Sequence, residues 1–128
     1  MVENMTKKVI VVDDEQGVLY TVKHGLEGAD KKYEVVPAGS GKKCLELLEN
    51  NQIPDLILLD IMMPEMSGWE TYQKIKENPS WKSIPIVFLT ARIDRVAKDA
   101  GRFYGEDYIE KPFDMVELKQ RIEKVLKK

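Results

Sequence analysis

Five residues of this 128-residue chain carry groups that could do chemistry together. Asp13 and Asp14 follow a short apolar segment at residues 9–12, and Asp60 follows another at residues 55–59. Thr90 follows a third apolar segment at residues 84–89, and Lys111 follows a shorter, mixed segment at residues 107–110. Carboxylates are oxygen ligands for a hard divalent cation, and a cation beside an ammonium and a hydroxyl stabilises a transferring phosphoryl group. The residue types therefore favour metal-assisted phosphoryl chemistry.

Each of these residues alone also has an ordinary structural interpretation. An acidic pair before a helix often caps that helix and interacts with its dipole. A threonine at a strand end is usually structural, and a lysine before a proline is usually solvated. The functional interpretation holds only if the fold brings the five residues to one place.

The elements that would position them alternate along the whole chain. The sequence predicts strands at residues 9–12, 33–37, 55–59, 84–89 and 107–110, and helices at 15–28, 41–49, from 68 to about 78, at 93–101 and after Asp114. Pro37 makes the second strand an edge strand, since proline donates no ladder hydrogen bond. Asp114 is the expected N-cap of the last helix. Strand–helix alternation predicts one α/β domain over residues 1–128, a doubly wound, five-stranded parallel sheet.

In such a sheet, ligands bind beyond the carboxyl ends of the strands, which is where the five residues stand. Clustered carboxylates repel one another unless a cation is present, and oxygen ligands suit Mg²⁺ or Mn²⁺. No glycine-rich loop follows the first strand, so no nucleotide cradle is expected.

Four motifs resemble those of response regulator receiver domains of the chemotaxis-regulator type, in order and spacing. They are VVDDE at residues 11–15, LLDIMMPEMSG at 58–68, PIVFLTA at 85–91 and DYIEKPF at 107–113. The resemblance covers nearly the whole chain. It implies a flavodoxin-like fold with strand order 2-1-3-4-5, and phosphorelay signalling in place of enzymatic turnover. Such a domain catalyses only its own phosphorylation and dephosphorylation.

The resemblance also implies a role for each acidic residue. Asp60 would accept a phosphoryl group from a phosphohistidine on a sensor histidine kinase or a phosphotransfer protein. Asp14 and Asp60 would bind Mg²⁺ directly, with Mn²⁺ as a substitute. The backbone carbonyl of Met62 would be a third ligand, and Asp13 would act largely through water.

The remaining implied roles concern the phosphate and the switch. Lys111 would pair with one phosphoryl oxygen, and the Thr90 hydroxyl would donate a hydrogen bond to another. Backbone amides near Met62 and Ala91 would donate the remaining hydrogen bonds to the phosphoryl group. Tyr108 would turn inward as Thr90 moves. That motion would change the face formed by the fourth helix, fifth strand and fifth helix, where an output protein or a second copy would bind. Pro112 would follow a cis peptide bond.

Three positions distinguish this chain within the resemblance. Glu106 follows Gly105 where the family usually has Gly-Ala, which puts the details of the switch in question. Met62 and Arg92 flank the expected path of the water that hydrolyses the phosphoaspartate, and neither can act as a base. The sequence therefore predicts a long-lived phosphorylated state.

Composition narrows the environment and the partners. The net charge is −2, and the basic residues near the C-terminus fit the solvated face and end of the last helix, which argues against direct nucleic-acid binding. They are Lys119, Arg121, Lys124, Lys127 and Lys128. Cys44 is the only cysteine, so no internal disulfide can form. The apolar runs are too short to cross a bilayer. We expect a cytoplasmic protein without a membrane partner.

Three other functions fit parts of the pattern. A haloacid-dehalogenase-like phosphatase also uses an aspartate nucleophile on a parallel sheet, but it needs a second acid where Met62 stands. A degenerate receiver that only binds partners would not need the intact set of acids, Thr90 and Lys111. Flavin or dinucleotide binding suits the fold class, but no phosphate-binding loop supports it.

Overall fold

The computed structural model describes residues 6–28, 31–90 and 107–127, with Thr90 described by its backbone alone. Its elements are β1 (Lys7–Val12), α1 (Gln16–Glu27), β2 (Tyr33–Ala38), α2 (Gly41–Glu49), β3 (Leu56–Asp60), α3 (Gly68–Glu77), β4 (Ile86–Thr90), β5 (Asp107–Glu110) and α4 (Met115–Leu126). The helix predicted at residues 93–101 lies outside the described residues.

The strands form one parallel sheet in the order β2-β1-β3-β4-β5. This order confirms the doubly wound, flavodoxin-like fold, and β2 with its Pro37 is an edge strand as predicted. Asp60 and Thr90 are the last residues of β3 and β4, so each strand ends one residue later than predicted. The ladder extends that far because Asp60 pairs with Leu89 and Thr90 pairs with Glu110.

Both faces of the sheet are apolar, because successive side chains of a strand point to opposite sides and helices cover each side. On one face, α1 and α4 pack against the strands through buried side chains that include Leu19, Val22, Leu118, Ile122 and Val125. On the other face, α2 and α3 pack through residues that include Cys44, Leu48 and Ile75. Leu118, Ile122 and Val125 thus share the buried face of the last helix, as the sequence predicts.

Local capping fixes where the later helices begin. The Ser67 hydroxyl accepts from Glu70 N at 3.2 Å, and the Glu70 carboxylate accepts from Ser67 N at 3.0 Å, which is a complete capping box for α3. Asp114 Oδ1 accepts from Glu117 N at 2.7 Å, so Asp114 caps α4 as predicted. The caps hold the helix starts close to the carboxyl ends of the strands.

Gly68, the first residue of α3, lies directly against the end of β3. A Cβ atom at this position would overlap the carbonyl oxygen of Asp60 and the Cα of Ile61. Gly68 N also donates to Ile61 O at 2.9 Å. The absence of a side chain therefore lets α3 start against the backbone that carries Asp60.

Arg121 corrects one expectation about the last helix. Its guanidinium donates to both carboxylate oxygens of Asp107, at 2.9 and 3.0 Å, and to the carbonyl of Tyr108 at 3.1 Å. The side chain is therefore paired and only 37% exposed, because the start of β5 lies within reach of α4. The prediction that it belongs to a solvated face was wrong.

Cys44 and Trp69 both pack in the interior between the sheet and its helices. Cys44 is buried in the core, and burial raises the pKa of its thiol to about 12. Trp69 packs on Phe88 with ring centroids 4.8 Å apart. Within the described residues, no helix combines the length and apolar character needed to cross a membrane.

Candidate functional site

Three carboxylates meet at the carboxyl ends of β1 and β3. Asp13 and Asp14 follow β1, Asp60 ends β3, and one oxygen of each lies within 4.8 Å of the others. Asp13 is fully buried and Asp60 is 3% exposed, while Asp14 is open to solvent. The cluster therefore has a buried floor and one accessible side.

Lys111 extends from the end of β5 into this cluster. Its ammonium nitrogen lies 2.6 Å from Asp13 Oδ2, 3.3 Å from Glu15 Oε1 and 3.5 Å from Asp60 Oδ1. The side chain is 12% exposed, and the peptide bond to Pro112 is cis, as the family resemblance implies. The positive charge of Lys111 is therefore shared among the carboxylates of Asp13, Glu15 and Asp60.

Asp13 is held differently at its two oxygens. Oδ1 accepts a hydrogen bond from the backbone N–H of Glu15 at 2.9 Å, which orients the carboxylate at the start of α1. Oδ2 is buried and lies against the Lys111 ammonium nitrogen, 2.6 Å away. One oxygen of Asp13 is therefore fixed by the backbone, and the charge of the other is compensated by Lys111.

The pKa values of both Asp60 and Lys111 are raised in this cluster. Burial raises the pKa of Asp60 to about 7; repulsion from Asp13 and, less, Asp14 adds to the rise, and Lys111 opposes it. Burial lowers the pKa of Lys111, but its contacts with Asp13 and Asp60 outweigh burial, so the net pKa is raised. Lys111 is therefore charged at neutral pH, whereas Asp60 resists ionisation.

These features fit a hard divalent cation. The donors are all carboxylate oxygens, and the three carboxylates can carry more negative charge than the single positive charge of Lys111 can balance. A cation would reduce the repulsion that raises the Asp60 pKa.

The other predicted site residues are placed less completely. Thr90 ends β4 beside the Asp60 strand, but its side chain lies outside the described part. Met62 lies in the loop after Asp60, and its side chain is 58% exposed. Tyr108 lies on β5, pairs with Phe88 of β4 and packs half-buried against the core between the sheet and α2 and α3. Ala91, Arg92, Gly105 and Glu106 are outside the described residues.

Sequence reasoning gave no site role to Glu15, although its carboxylate is one of the three that contact Lys111. The signal was present, since Glu15 continues the acidic run of Asp13 and Asp14. Periodicity could not distinguish it from a helix N-cap, and it also precedes α1 as the N-cap residue without a side-chain capping bond.

Comparison with known proteins gives a consistent result. The sequence profile of the response regulator receiver domain matches residues 9–123. The chain is 34% identical over 125 residues to the alkaline phosphatase synthesis transcriptional regulatory protein PhoP of Bacillus subtilis, covering 97% of this chain and 50% of that protein. It is 39% identical over 122 residues to the response regulator ArlR of Staphylococcus saprophyticus, covering 94% and 53%.

The fold comparison agrees. The structure of the Vibrio cholerae chemotaxis protein CheY4 matches with a TM-score of 0.84 and 29% identity, covering 94% of this chain and 98% of that one. The chain spans about half the length of the two curated relatives, which therefore contain regions with no counterpart here.

Proposed function

Because this chain belongs to the family of response regulator receiver domains, which are phosphorylated on an aspartate and bind Mg²⁺, we propose that Asp60 is its phosphate acceptor. The observation that carries the proposal is the convergence of Asp13, Asp14 and Asp60 on one small site with Lys111 between them. We further propose that residues 1–128 act as one receiver domain.

Asp60 fits the acceptor role through its position. Of the three clustered carboxylates, Asp60 alone lies within the sheet, at the end of the central strand β3. In the transfer, a carboxylate oxygen of Asp60 would form a bond to phosphorus as the phosphorus–nitrogen bond of a donor phosphohistidine breaks. The imidazole would leave with the electron pair.

Mg²⁺, or Mn²⁺ in its place, would be held by Asp14, Asp60 and the backbone carbonyl of Met62, with Asp13 acting largely through water. When bound, the ion would neutralise carboxylate charge so that an anionic phosphoryl group can approach. Asp14 is the accessible carboxylate of the three, and Asp13 is the fully buried one, fixed by Glu15 N and Lys111.

Lys111 would stabilise the phosphoryl group once it is attached. Its ammonium already lies 3.5 Å from Asp60 Oδ1, so a phosphoryl oxygen on Asp60 would be within its reach. The Thr90 hydroxyl would donate to a second oxygen from the end of the neighbouring strand. We assign the chain no other substrate, so its catalysis would be limited to its own phosphorylation and dephosphorylation.

The output would run through Tyr108 and the face formed by the helix predicted at residues 93–101, β5 and α4. Thr90 ends β4 and Lys111 directly follows β5, so a phosphate held by both residues would bias this face between two arrangements. The donor would be a sensor histidine kinase or a phosphotransfer protein in the cytoplasm. The acceptor of the signal would be an output protein or a second copy.

A single labelling experiment tests the assignment. The protein is incubated with a small phosphoryl donor in Mg²⁺, and intact mass spectrometry measures phosphoryl groups per chain. We expect one phosphoryl group on each parent chain. No label should form when excess chelator is present during the incubation, and none should form on Asp60→Asn. Asp14→Asn should be labelled only at higher Mg²⁺ concentration.

The matched control is Asp55→Asn. Asp55 precedes the same strand at its opposite end, where it accepts a hydrogen bond from Lys8 N at 2.8 Å that asparagine can also accept. This variant should be labelled like the parent. Stoichiometric label on Asp60→Asn, or full labelling in chelator, would show that the acceptor or the metal requirement is wrong.

A further inference from the structure

The edge strand β2 has one free side, where no strand of the described sheet pairs with it. Lys32 O accepts from Lys7 N, and Ala38 O accepts from Asp13 N, so the even-numbered residues of this segment direct their peptide groups toward β1. The peptide groups of a strand alternate in direction. Those of residues 33, 35 and 37 therefore point away from β1.

At Val35 both of these outward groups are occupied by side chains of α1. Val35 N donates to Glu27 Oε2 at 2.9 Å, and Val35 O accepts from Lys23 Nζ at 2.9 Å. Lys23 Nζ also donates to Glu27 Oε2 at 2.9 Å. Two side chains one helical turn apart thus close a ring of hydrogen bonds with one residue of the strand.

The next outward position offers no donor at all, because Pro37 has no N–H. Exposed sheet edges with unpaired peptide groups are templates for pairing with another chain. Along residues 35–37, β2 therefore presents neither a free N–H nor, at Val35, a free carbonyl.

An isolated Lys–Glu pair at this helical spacing would be an ordinary surface ion pair of little energetic value. This pair differs because both side chains also hydrogen-bond to the backbone of another element. The hydrogen bond from Val35 N is the main cause that lowers the pKa of Glu27, and Lys23 lowers it further while burial opposes both. The Glu27 carboxylate is thus charged and held on the strand at neutral pH.

We propose that Lys23 and Glu27 close the β2 edge against strand pairing with a second copy of this chain. In an antiparallel hydrogen-bonded pair, two opposed residues exchange both N–H···O bonds. Val35 of one copy could pair with Val35 of another about a two-fold axis, and this symmetric contact needs the same two groups that Lys23 and Glu27 occupy. The two side chains take the place of that neighbouring strand.

The test removes both side chains in the full chain, as Lys23→Ala with Glu27→Ala. The net charge is unchanged, and the matched control is Lys42→Ala with Glu46→Ala, an exposed pair at the same spacing on α2. Two quantities are measured over a range of protein concentrations: the association state by analytical ultracentrifugation, and the exchange rate of the Val35 amide by NMR.

At low concentration, the Val35 amide of the double variant should exchange at least about tenfold faster than in the parent, given what a hydrogen bond to a charged group contributes. At higher concentration the double variant should dimerise and its Val35 amide should regain protection. The parent and the α2 control should keep a protected, concentration-independent Val35 amide.

Several results would overturn the proposal. They are unchanged Val35 exchange, a double variant that stays monomeric at millimolar concentration, association without renewed protection of Val35, or equal association of the α2 control. If the double variant does not fold, Glu27→Ala alone frees the Val35 amide and is judged by the same two measurements.

Discussion

The ammonium group of Lys111 is paired with Asp13, at 2.6 Å, more closely than with the proposed acceptor Asp60. The lysine therefore compensates the buried Asp13 carboxylate. It also competes electrostatically with any divalent cation that the same carboxylates would bind.

That competition gives the first prediction. Lys111→Met should bind Mg²⁺ more tightly than the parent, by roughly tenfold or about 1.4 kcal/mol, because it removes a positive charge next to the ligands. The same variant should accept a phosphoryl group more slowly, because a stabilising charge is lost. Calorimetric Mg²⁺ titration and labelling rates measure the two effects. Weaker Mg²⁺ binding would mean that Lys111 organises the ligands more than it competes.

The second prediction concerns pH in the presence of chelator. The pKa of Asp60 is raised from 3.8 to about 7, so the folded chain holds this proton more tightly than the unfolded chain. Folding stability should therefore fall as the pH rises from about 4 to about 7, and the full penalty should persist above that range. Asp60→Asn removes the penalty and should be more stable than the parent at pH 8, on the order of a few kcal/mol.

Denaturant titrations in chelator at pH 4 and pH 8 provide the measurement. The advantage of Asp60→Asn should nearly vanish at the lower pH, and Mg²⁺ should reduce it at the higher one. Asp55→Asn, which removes the same charge outside the cluster, should show no such pH-dependent gain. Equal stability of Asp60→Asn and parent at pH 8 would contradict the repulsion described for the site.

The third prediction uses the contact between Gly68 and the end of β3. Gly68→Ala should destabilise the protein by about 1–3 kcal/mol, as expected for overpacking, because the new Cβ would overlap Asp60 O and Ile61 Cα. It should also slow labelling, since the backbone at Asp60 must shift. Gly17→Ala is the control: it lies in the first turn of α1, and its Cβ would have no neighbour within 4 Å.

Stability of the two glycine variants is compared by urea unfolding. Gly17→Ala should be neutral or more stable by up to about 1 kcal/mol, the usual helix preference for alanine. If Gly68→Ala behaved in the same way, the close approach would not constrain the site.

The fourth prediction concerns the switch face. Beryllofluoride with Mg²⁺ should shift amide resonances of residues 107–121 more than those of α2 at residues 41–49. Arg121 ties α4 to Asp107 and to the Tyr108 carbonyl, so a displacement of Tyr108 is transmitted to α4. Asp60→Asn with the same reagents should show neither change. Shifts confined to β2 and α2 would place the response on the wrong side of the domain.

The sequence predicted most of the framework because strand–helix alternation leaves few arrangements, all of which collect Asp13, Asp60, Thr90 and Lys111 at one end of the sheet. The strand order came from the family resemblance and not from periodicity. The strand ends were placed one residue early, because apolar periodicity stops at Leu59 and Leu89 while the hydrogen-bonded ladder continues to Asp60 and Thr90.

Side-chain pairing between elements was not predictable in the same way. Neither the Arg121–Asp107 pair nor the Lys23–Glu27 ring at Val35 has a signature in composition or spacing, since each depends on the distance between a helix and a strand. A charged residue at an exposed helical position has the same sequence pattern whether it is solvated or bound to a neighbouring backbone.

The last prediction concerns the lifetime of the phosphorylated state. Met62 and Arg92 stand two residues after Asp60 and Thr90, where the family resemblance places the path of the attacking water. The Met62 side chain is 58% exposed and apolar, so it can cover this path but cannot orient a water by hydrogen bonding. Arg92 can hold phosphoryl oxygens but cannot act as a base.

We therefore expect slow hydrolysis of the phosphoaspartate, and faster hydrolysis in Met62→Asn with Arg92→Glu. The gain should be roughly tenfold or more, about 1.4 kcal/mol in the barrier. The rate is measured as loss of phosphorylated protein in Mg²⁺ after the donor is removed. The exposed Met62→Leu is the control and should decay like the parent, because leucine keeps an apolar cover without a hydrogen-bonding group. If the double variant decays no faster than Met62→Leu, these two side chains do not set the lifetime, and access of water must be limited elsewhere around Asp60.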